Sequence, residues 1–236
     1  MFDHLEKKYN IKYILKDTAL VSYPKSGRTW LRMIFAKIAN ELGYDTNKNE
    51  MLPAFHYTPA QLDEKIGKDL KVIFLRRDEA DATVSYFSEK STSTRSGVPY
   101  TGTVSEFLRD KDYGINAALS FNESWINLGE KYKDFCHITY EQLKQDPVAT
   151  LKELCSFVGI ECEEGIIQTA VEYSSFNNMK KIDNGEGENL LRKYKGNFGV
   201  TPGRVRKGLV KGYLTELSKE DIEYVEKEKR KLYGND

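Results

Sequence analysis

Apolar positions along the chain form short continuous runs that alternate with segments of helical spacing. The runs at 19–23, 70–75 and 135–140 are typical of strands, and 70–75 is short and apolar enough for a strand buried in a parallel sheet. The segment after the first run repeats apolar residues on one helical face, at Leu31, Ile34, Phe35, Ile38 and Leu42. This alternation predicts a three-layer α/β fold in which helices flank a central, mainly parallel sheet.

Three further helices are predicted from their starting residues. One begins at about Ala80, after the second strand, and another opens at Pro147, a residue suited to a first helical turn. Ser218 and Asp221 resemble a capping box that opens a last, highly charged helix. Since no internal repeat or low-complexity linker interrupts the chain, we expect a single domain over residues 1–236.

Two long segments do not fit this alternation. Segment 88–103 is polar and rich in turn-forming residues, and segment 183–212 holds seven of the 17 glycines. From Lys180 to Lys211 there are nine Lys and Arg residues against three acidic ones. A local basic excess in a neutral chain favours an anionic ligand, whereas a solvated loop is the structural alternative.

The charge balance narrows the classes of function. Among the 236 residues, 36 Lys and Arg balance 36 Asp and Glu, so a protein specialised for nucleic acid or anionic membranes is not expected. No apolar run approaches the ~20 residues of a membrane span, and the N-terminal segment MFDHLEKKYN is too polar for a signal peptide. The three cysteines show no C-x-x-C spacing, which argues against a zinc site or a disulfide framework. We therefore expect a cytoplasmic protein.

The strongest chemical signal is segment 23–30 (YPKSGRTW), in which the first strand gives way to a helix. Unpaired N–H groups at a helix start form an anion site together with the helix dipole. Lys25 and Arg28 add cations, and Ser26 and Thr29 add hydroxyl donors. The usual nucleotide P-loop is absent because the lysine precedes the single glycine. The segment predicts a cradle for a phosphate-like group.

Two weaker signals lie further along the chain. Arg77 follows the second strand, where open α/β sheets bind ligands, and Ser85 lies eight residues later, about two helical turns. Arg206 and Lys207 precede Gly208 in the basic, glycine-rich segment. Alone, each of these signals is also compatible with ordinary surface charges.

Together the motifs resemble those of the sulfotransferases that use 3′-phosphoadenosine 5′-phosphosulfate (PAPS). Segment 23–30 is similar to their YPKSGTTW pattern, with Arg28 in place of the first Thr. Segment 75–85 resembles their 3′-phosphate segment, and segment 206–218 resembles their RKGxxGDWKxxFT block, with Tyr213 in place of Trp. The matches follow the family's order over most of the chain.

The resemblance implies a P-loop-like strand–loop–helix near the N-terminus and an enzyme that transfers a sulfuryl group. The acceptor is a hydroxyl or an amine of a small molecule, which attacks sulfur in line, and 3′,5′-bisphosphoadenosine (PAP) departs. By the resemblance, Lys25 contacts the bridging leaving oxygen and Ser26 restrains that lysine until substrate binds. PAPS is the implied co-substrate, and no metal is implied.

The same resemblance assigns the nucleotide-binding residues. The 5′-phosphate is held by the backbone amides of Gly27, Arg28 and Thr29. The 3′-phosphate is held by Arg77, Ser85, Arg206 and Lys207, with Gly208 in the same block. Adenine lies between the rings of Trp30 and Phe176, and Ser174 and Tyr140 fall at matching family positions.

A general base is also required. His56 lies between the first loop and the second strand, where cytosolic sulfotransferases carry a catalytic His in a K-T-H-L-P context. The match is partial because Ala54 replaces the lysine. A histidine suits proton transfer near neutral pH. A structural role for His56 is the alternative, and Glu123 is a weaker candidate base.

Other interpretations stay open on the sequence alone. A P-loop nucleotide or small-molecule kinase shares the strand–loop–helix but needs Mg²⁺ and a glycine framework that segment 23–30 lacks. A catalytically inactive nucleotide-binding or RNA-binding module could use Trp30 and Phe176 as stacking rings, although zero net charge counts against RNA.

By the resemblance, variable loops select the acceptor, and these loops are expected at 88–103, around 113–125 and at 183–204. Seven aromatic residues are candidates either for an apolar acceptor pocket or for the core, namely Tyr57, Tyr86, Phe87, Tyr100, Tyr113, Phe121 and Trp125. The family's C-terminal dimer segment, K-x-x-x-T-V-x-x-x-E, has no good counterpart in 218–236, which favours a monomer and leaves a dimer open.

Overall fold

The computed structural model describes residues 2–9, 12–92, 98–191 and 205–234. The strands in these residues are β1 (Lys12–Tyr13), β2 (Thr18–Val21), β3 (Asn49–Glu50), β4 (Ala54–Phe55), β5 (Lys71–Arg76) and β6 (Asp134–Thr139). The helices are α1 (Asp3–Tyr9), α2 (Arg28–Glu41), α3 (Pro59–Lys65), α4 (Glu79–Thr92), α5 (Val104–Arg109), α6 (Ile115–Leu128), α7 (Tyr140–Gln145), α8 (Pro147–Val158), α9 (Glu164–Tyr173), α10 (Phe176–Asp183) and α11 (Lys219–Tyr233). Short 3-10 turns lie at Gly129–Lys131 and Gly212–Thr215.

A four-stranded sheet in the order β4–β2–β5–β6 forms the centre of the fold, and its neighbouring strands are parallel. Leu20 of β2 lies opposite Ile73 of β5, which in turn lies opposite Cys136 of β6. The three predicted strands are therefore neighbours, and their carboxyl ends lie along one edge of the sheet. A separate two-stranded sheet joins β1 and β3.

Alternate residues of the central strands face opposite layers of helices. Val72 and Phe74 of β5 belong to one core cluster with Leu62 of α3 and Trp125 of α6. Ile73, between them, belongs to a second cluster with residues of α2, α8 and α9. The predicted three-layer α/β arrangement is confirmed.

A third apolar cluster packs the last helix, α11, against α4 and α6. Ala80 and Val84 of α4 pack with Ile115 and Leu119 of α6 and with Val225 of α11. Helix α4, which follows β5, therefore contacts both α6 and α11.

The segment predicted to be irregular at 88–103 is helical in its first part. Helix α4 continues to Thr92, and residues 93–97 lie outside the described residues. Of the second irregular segment, 183–212, residues 192–204 also lie outside the described part of the chain.

The prediction of an acceptor loop at 113–125 is wrong, because helix α6 occupies most of it. Ala118, Phe121 and Trp125 share a face of this helix and are buried in the core. Their spacing of three and four residues is itself the helical signal that the sequence analysis did not use.

All three predicted helix starts are found, and α4 begins at Glu79, one residue before the expected Ala80. Pro147 opens α8, and the Asp146 carboxylate accepts a backbone hydrogen bond in its first turn. Ser218 caps α11 by accepting from the N–H of Asp221 at 3.1 Å. The Asp221 carboxylate accepts from the Ser218 hydroxyl and from Arg109. Among all described helices, none is long and apolar enough to cross a membrane.

Candidate active site

A pocket of about 500 Å³ opens at the carboxyl ends of β2, β5 and β6, where parallel sheets bind ligands. It is lined by Arg77 and Tyr140, which directly follow β5 and β6, and by Pro24, three residues after β2. Fourteen of the fifteen site residues predicted from the sequence line it, namely Lys25, Gly27, Arg28, Thr29, Trp30, His56, Arg77, Ser85, Tyr140, Ser174, Phe176, Arg206, Lys207 and Gly208. The fifteenth, Ser26, is buried beneath the loop.

The loop after β2 turns sharply before helix α2 begins. Lys25 and Gly27 both have positive φ, +68° and +97°, and Gly27 is the last residue before the helix. Ser26 Oγ is buried and has no hydrogen-bond partner among the described residues. The helix start therefore combines N–H groups that have no acceptor within the helix with a buried hydroxyl, an arrangement that suits an anion.

Gly27 is required by its contact as well as by its φ. A Cβ on Gly27 would lie 2.6 Å from Tyr140 Cδ2. We expect Gly27→Ala to lower the free energy of unfolding by about 2–4 kcal/mol, because ~1–2 kcal/mol of backbone strain adds to ~1–3 kcal/mol of overpacking. Urea unfolding measures this loss.

The matched control is Gly43→Ala. Gly43 has φ +83° but no atom within 4 Å of the added Cβ, so only the backbone strain of about 1–2 kcal/mol is expected. Equal losses in the two variants would show that the contact with Tyr140 has no energetic weight.

Lys25 pairs with a carboxylate that the sequence analysis missed. Its Nζ lies 3.0 Å from Glu89 Oε2, and both residues line the pocket. Glu89 lies on α4 one helical turn after Ser85, so the spacing of four residues was the available signal.

Burial, with the nearby Tyr113 and Glu89, raises the pKa of Tyr86 to about 12, so that this pocket phenol stays protonated at neutral pH.

Arg77 connects three segments around the pocket. Its guanidinium donates to Lys25 O at 3.1 Å and to Leu209 O at 3.0 Å, and it lies over the Tyr140 ring at 4.5 Å from the centroid. Its Nε is buried without a partner in the described residues. The carboxylate of Asp81, one turn along α4, is 3.8 Å away. Arg77 thus fixes the loop after β2 and presents a donor to the pocket.

The basic residues near the C-terminus, Arg206 and Lys207, also line the pocket. Arg206 donates to Glu216 at 2.9 Å, and Lys207 lies 3.3 Å from that carboxylate. Lys144 of α7 donates to Gly208 O, and burial together with Arg77 lowers the pKa of this lysine. Lys144 was not found from the sequence because its partner Gly208 is 64 residues away, whereas Glu216 lies in the matched segment, ten residues after Arg206.

Asp81 secures this C-terminal segment. Its two carboxylate oxygens accept from the backbone N–H groups of Lys211 at 2.8 Å and Tyr213 at 2.9 Å. Burial raises the pKa of Asp81, and the hydrogen bond from Tyr213 and the charge of Arg77 oppose this shift. The segment that carries Arg206 and Lys207 is therefore attached directly to α4.

The two rings predicted to enclose a base both line the pocket. Trp30 donates through Nε1 to Ser174 O at 2.8 Å and packs edge-on against Tyr140. Phe176 begins α10, is 38% exposed and lies against Gly208. Of the aromatic residues considered for an acceptor pocket, Tyr86 lines this cavity, whereas Trp125 is fully buried in the core.

His56 follows β4 and reaches the pocket from the neighbouring strand. Its Nδ1 lies 2.7 Å from Ser22 O, and its Nε2 lies 2.6 Å from Arg28 Nη2. Glu123, the other candidate base, is not among the residues that line this pocket. Within the described residues no group of His, Cys, Asp and Glu could hold a metal ion.

A sequence model of the sulfotransferase domain matches residues 44–235 of this chain. The chain belongs to the sulfotransferase domain family. Sulfotransferase 2A1 of Rattus norvegicus is 28% identical over 92% of this sulfotransferase and 86% of its own length. Sulfotransferase 2A6 of the same organism is 30% identical, over 77% of this chain and 73% of its own.

A solved structure shows the same fold. Mouse sulfotransferase SULT7A1, complexed with PAP, matches 99% of this sulfotransferase and 89% of its own chain, with a TM-score of 0.73 and 21% identity. The family predicted from the motifs, the PAPS-dependent sulfotransferases, is confirmed, and the protein is an enzyme of that class. The kinase and inactive-module interpretations are not favoured.

Proposed function

We propose that this sulfotransferase moves a sulfuryl group from PAPS to a hydroxyl, or an amine, of a small-molecule acceptor. The observation that carries the proposal is that one pocket combines the anion cradle of 23–30 with a second cationic group, formed by Arg77, Lys144, Arg206 and Lys207. Two cationic sites suit a ligand with two anionic groups, and PAPS has a 5′-phosphosulfate and a 3′-phosphate.

The polar atoms of the cradle fit this ligand. Beside the cradle, Arg77 lines the pocket and its Nε is a buried donor with no partner in the described residues, and such a group is stabilised when an anion accepts from it. The backbone amides of Gly27, Arg28 and Thr29 are assigned to the 5′-phosphate. Ser85, at the pocket wall on α4, is assigned to the 3′-phosphate with the four cations.

Adenine is assigned to the space beside Trp30 and Phe176. The hydrogen bond from Trp30 to Ser174 O holds that indole, and the edge-on contact with Tyr140 supports it from the other side. Aromatic faces bind a base through its area and orientation. Ser174 and Tyr140 therefore act by placing the ring.

Lys25 is assigned to the leaving group. Bound PAPS supplies an electrophilic sulfur, and the bond from sulfur to the bridging oxygen breaks as the acceptor bonds to sulfur. Lys25 donates to that oxygen and stabilises the negative charge that develops on it. Because the ammonium of Lys25 is now paired with Glu89, this carboxylate and the leaving oxygen compete for its positive charge.

His56 is assigned as the general base. The proton of the acceptor passes to Nε2, while Nδ1 remains bound to Ser22 O and holds the ring in place. A positioned base of this kind contributes about 10²–10⁴ in rate. Arg28, which contacts Nε2, must move for this transfer.

Transfer of radiolabelled sulfate from PAPS to a panel of phenols, alcohols and amines, with EDTA present, tests the activity. We expect labelled product with at least one acceptor and no requirement for Mg²⁺. Absence of transfer to every acceptor, together with Mg²⁺-dependent phosphorylation from ATP, would contradict the proposal.

Glu89→Gln is expected to tighten PAP binding on the order of three- to tenfold, about the free energy of a partly exposed ion pair. The reason is that Lys25 no longer has a carboxylate competing for its ammonium. Calorimetric titration measures the change.

Glu41→Gln is the control, because it removes the carboxylate of an ion pair with Lys37 on α2 that does not line the pocket. Weaker PAP binding by Glu89→Gln would show that Glu89 supports the cofactor site and does not compete with it.

We further propose that residues 1–236 form one domain and that the protein is a cytoplasmic monomer. Size-exclusion chromatography with light scattering tests the oligomeric state, and a dimer would contradict it.

A further inference from the structure

Arg28 donates to the side chain that is proposed as the general base. Its Nη2 lies 2.6 Å from His56 Nε2, and both residues line the pocket. The other ring nitrogen, Nδ1, lies 2.7 Å from Ser22 O. Each ring nitrogen therefore faces a partner with a fixed hydrogen-bonding character.

These partners determine the tautomer of His56. A backbone carbonyl only accepts, so Nδ1 carries the hydrogen and donates to Ser22. A guanidinium only donates, so Nε2 presents its lone pair to Arg28. His56 is a neutral imidazole in the tautomer that a base requires, but the lone pair that must take the acceptor's proton is already in use.

The base can act only after Arg28 has moved to another hydrogen-bond acceptor. Arg28 is the first residue of α2, so its side chain originates at the cradle whose N–H groups are assigned to the 5′-phosphate. A phosphate or sulfate oxygen is a stronger partner for a guanidinium than a neutral imidazole, because both groups then carry charge. An anion held in the cradle therefore competes with His56 for Arg28.

We propose that Arg28 is a positioning residue with two alternative partners, His56 Nε2 and the phosphosulfate of the donor, so that binding of the donor releases the base. This inference rests on the proposed function and goes beyond the backbone role assigned to residue 28. It also assigns a role to the side chain of Arg28, which stands where the YPKSGTTW pattern has its first Thr. The acceptor's proton then has a base to receive it only when the sulfuryl donor is in place.

The first test follows the ring nitrogens of His56 by ¹⁵N NMR of the full chain, with PAP as the probe and His56→Asn to assign the signals. The Nε2 resonance reports whether that lone pair accepts a hydrogen bond. We expect saturating PAP to move the wild-type resonance to its position in PAP-bound Arg28→Thr, where no guanidinium is present. A wild-type resonance that stays at its starting position in the saturated complex overturns the inference.

The second test is the affinity for PAP. We expect Arg28→Thr to weaken PAP binding about ten- to a hundredfold, the effect of losing a hydrogen bond between charged groups. Lys37→Thr removes a cation from the same helix outside the pocket and is expected to leave the affinity unchanged. Wild-type affinity in Arg28→Thr overturns the inference while the proposed function stands, whereas failure of the wild-type protein to bind PAP contradicts the proposed function itself.

Discussion

Lys25→Met is expected to lower kcat for sulfuryl transfer by about 10²–10³, the range found when one donor to a developing oxyanion is removed. Lys25 belongs to the cradle and lines the pocket, with its side chain 13% exposed. The KM for PAPS should change much less, because the backbone donors of the cradle remain and the lost interaction strengthens mainly in the transition state. Steady-state kinetics with an acceptor from the panel separates the two constants.

The change also leaves Glu89 without its lysine, which by itself could destabilise the fold. The double variant Lys25→Met/Glu89→Gln removes both charges and serves as the control. We expect it to recover any loss of stability but none of the lost kcat. Wild-type kcat in Lys25→Met, or recovery of activity in the double variant, would contradict the leaving-group role.

Arg77→Ala is expected to weaken PAP binding by about 10²–10⁴, because two charge-assisted hydrogen bonds to a phosphate are each worth roughly ten- to a hundredfold. Binding of AMP, which has no 3′-phosphate, should weaken far less. Arg77 is held by Lys25 O, Leu209 O and the Tyr140 ring, so its fork already has a fixed orientation. Calorimetric titrations with the two nucleotides measure the selectivity.

Arg77→Lys is the matched variant, since it keeps the positive charge and loses the planar fork. We expect an intermediate loss of PAP affinity. Thermal unfolding checks that both variants remain folded. If AMP and PAP binding fall in equal proportion, Arg77 only supports the loop after β2 and does not read the 3′-phosphate.

The fold was largely predictable because its signals are local. The apolar runs that became β2 and β5 are short and buried, the run that became β6 is short but mostly half-buried, and the face of α2 repeats at helical spacing. The error at 113–125 arose because polar residues between Phe121 and Trp125 obscured an equally regular helical face. A turn-rich composition likewise obscured the last turns of α4.

The residues of the candidate site also differ in whether their signals are local or distant in the sequence. The residues found from the sequence belong to contiguous motifs, and fourteen of the fifteen line one pocket. Several missed residues act through partners far along the chain, as Lys144 does with Gly208 and Asp81 with Tyr213. The contact between Arg28 and His56 is of this kind, since only the pairing of β4 with β2 brings the two residues together.

The most direct test of the account is calorimetric titration of the purified protein with PAP, AMP and ATP in the absence of Mg²⁺. We expect tight binding of PAP and much weaker binding of AMP, because the 3′-phosphate is bound by the cationic group around Arg77. Equal affinity for PAP and AMP, or ATP binding that requires Mg²⁺, would contradict it.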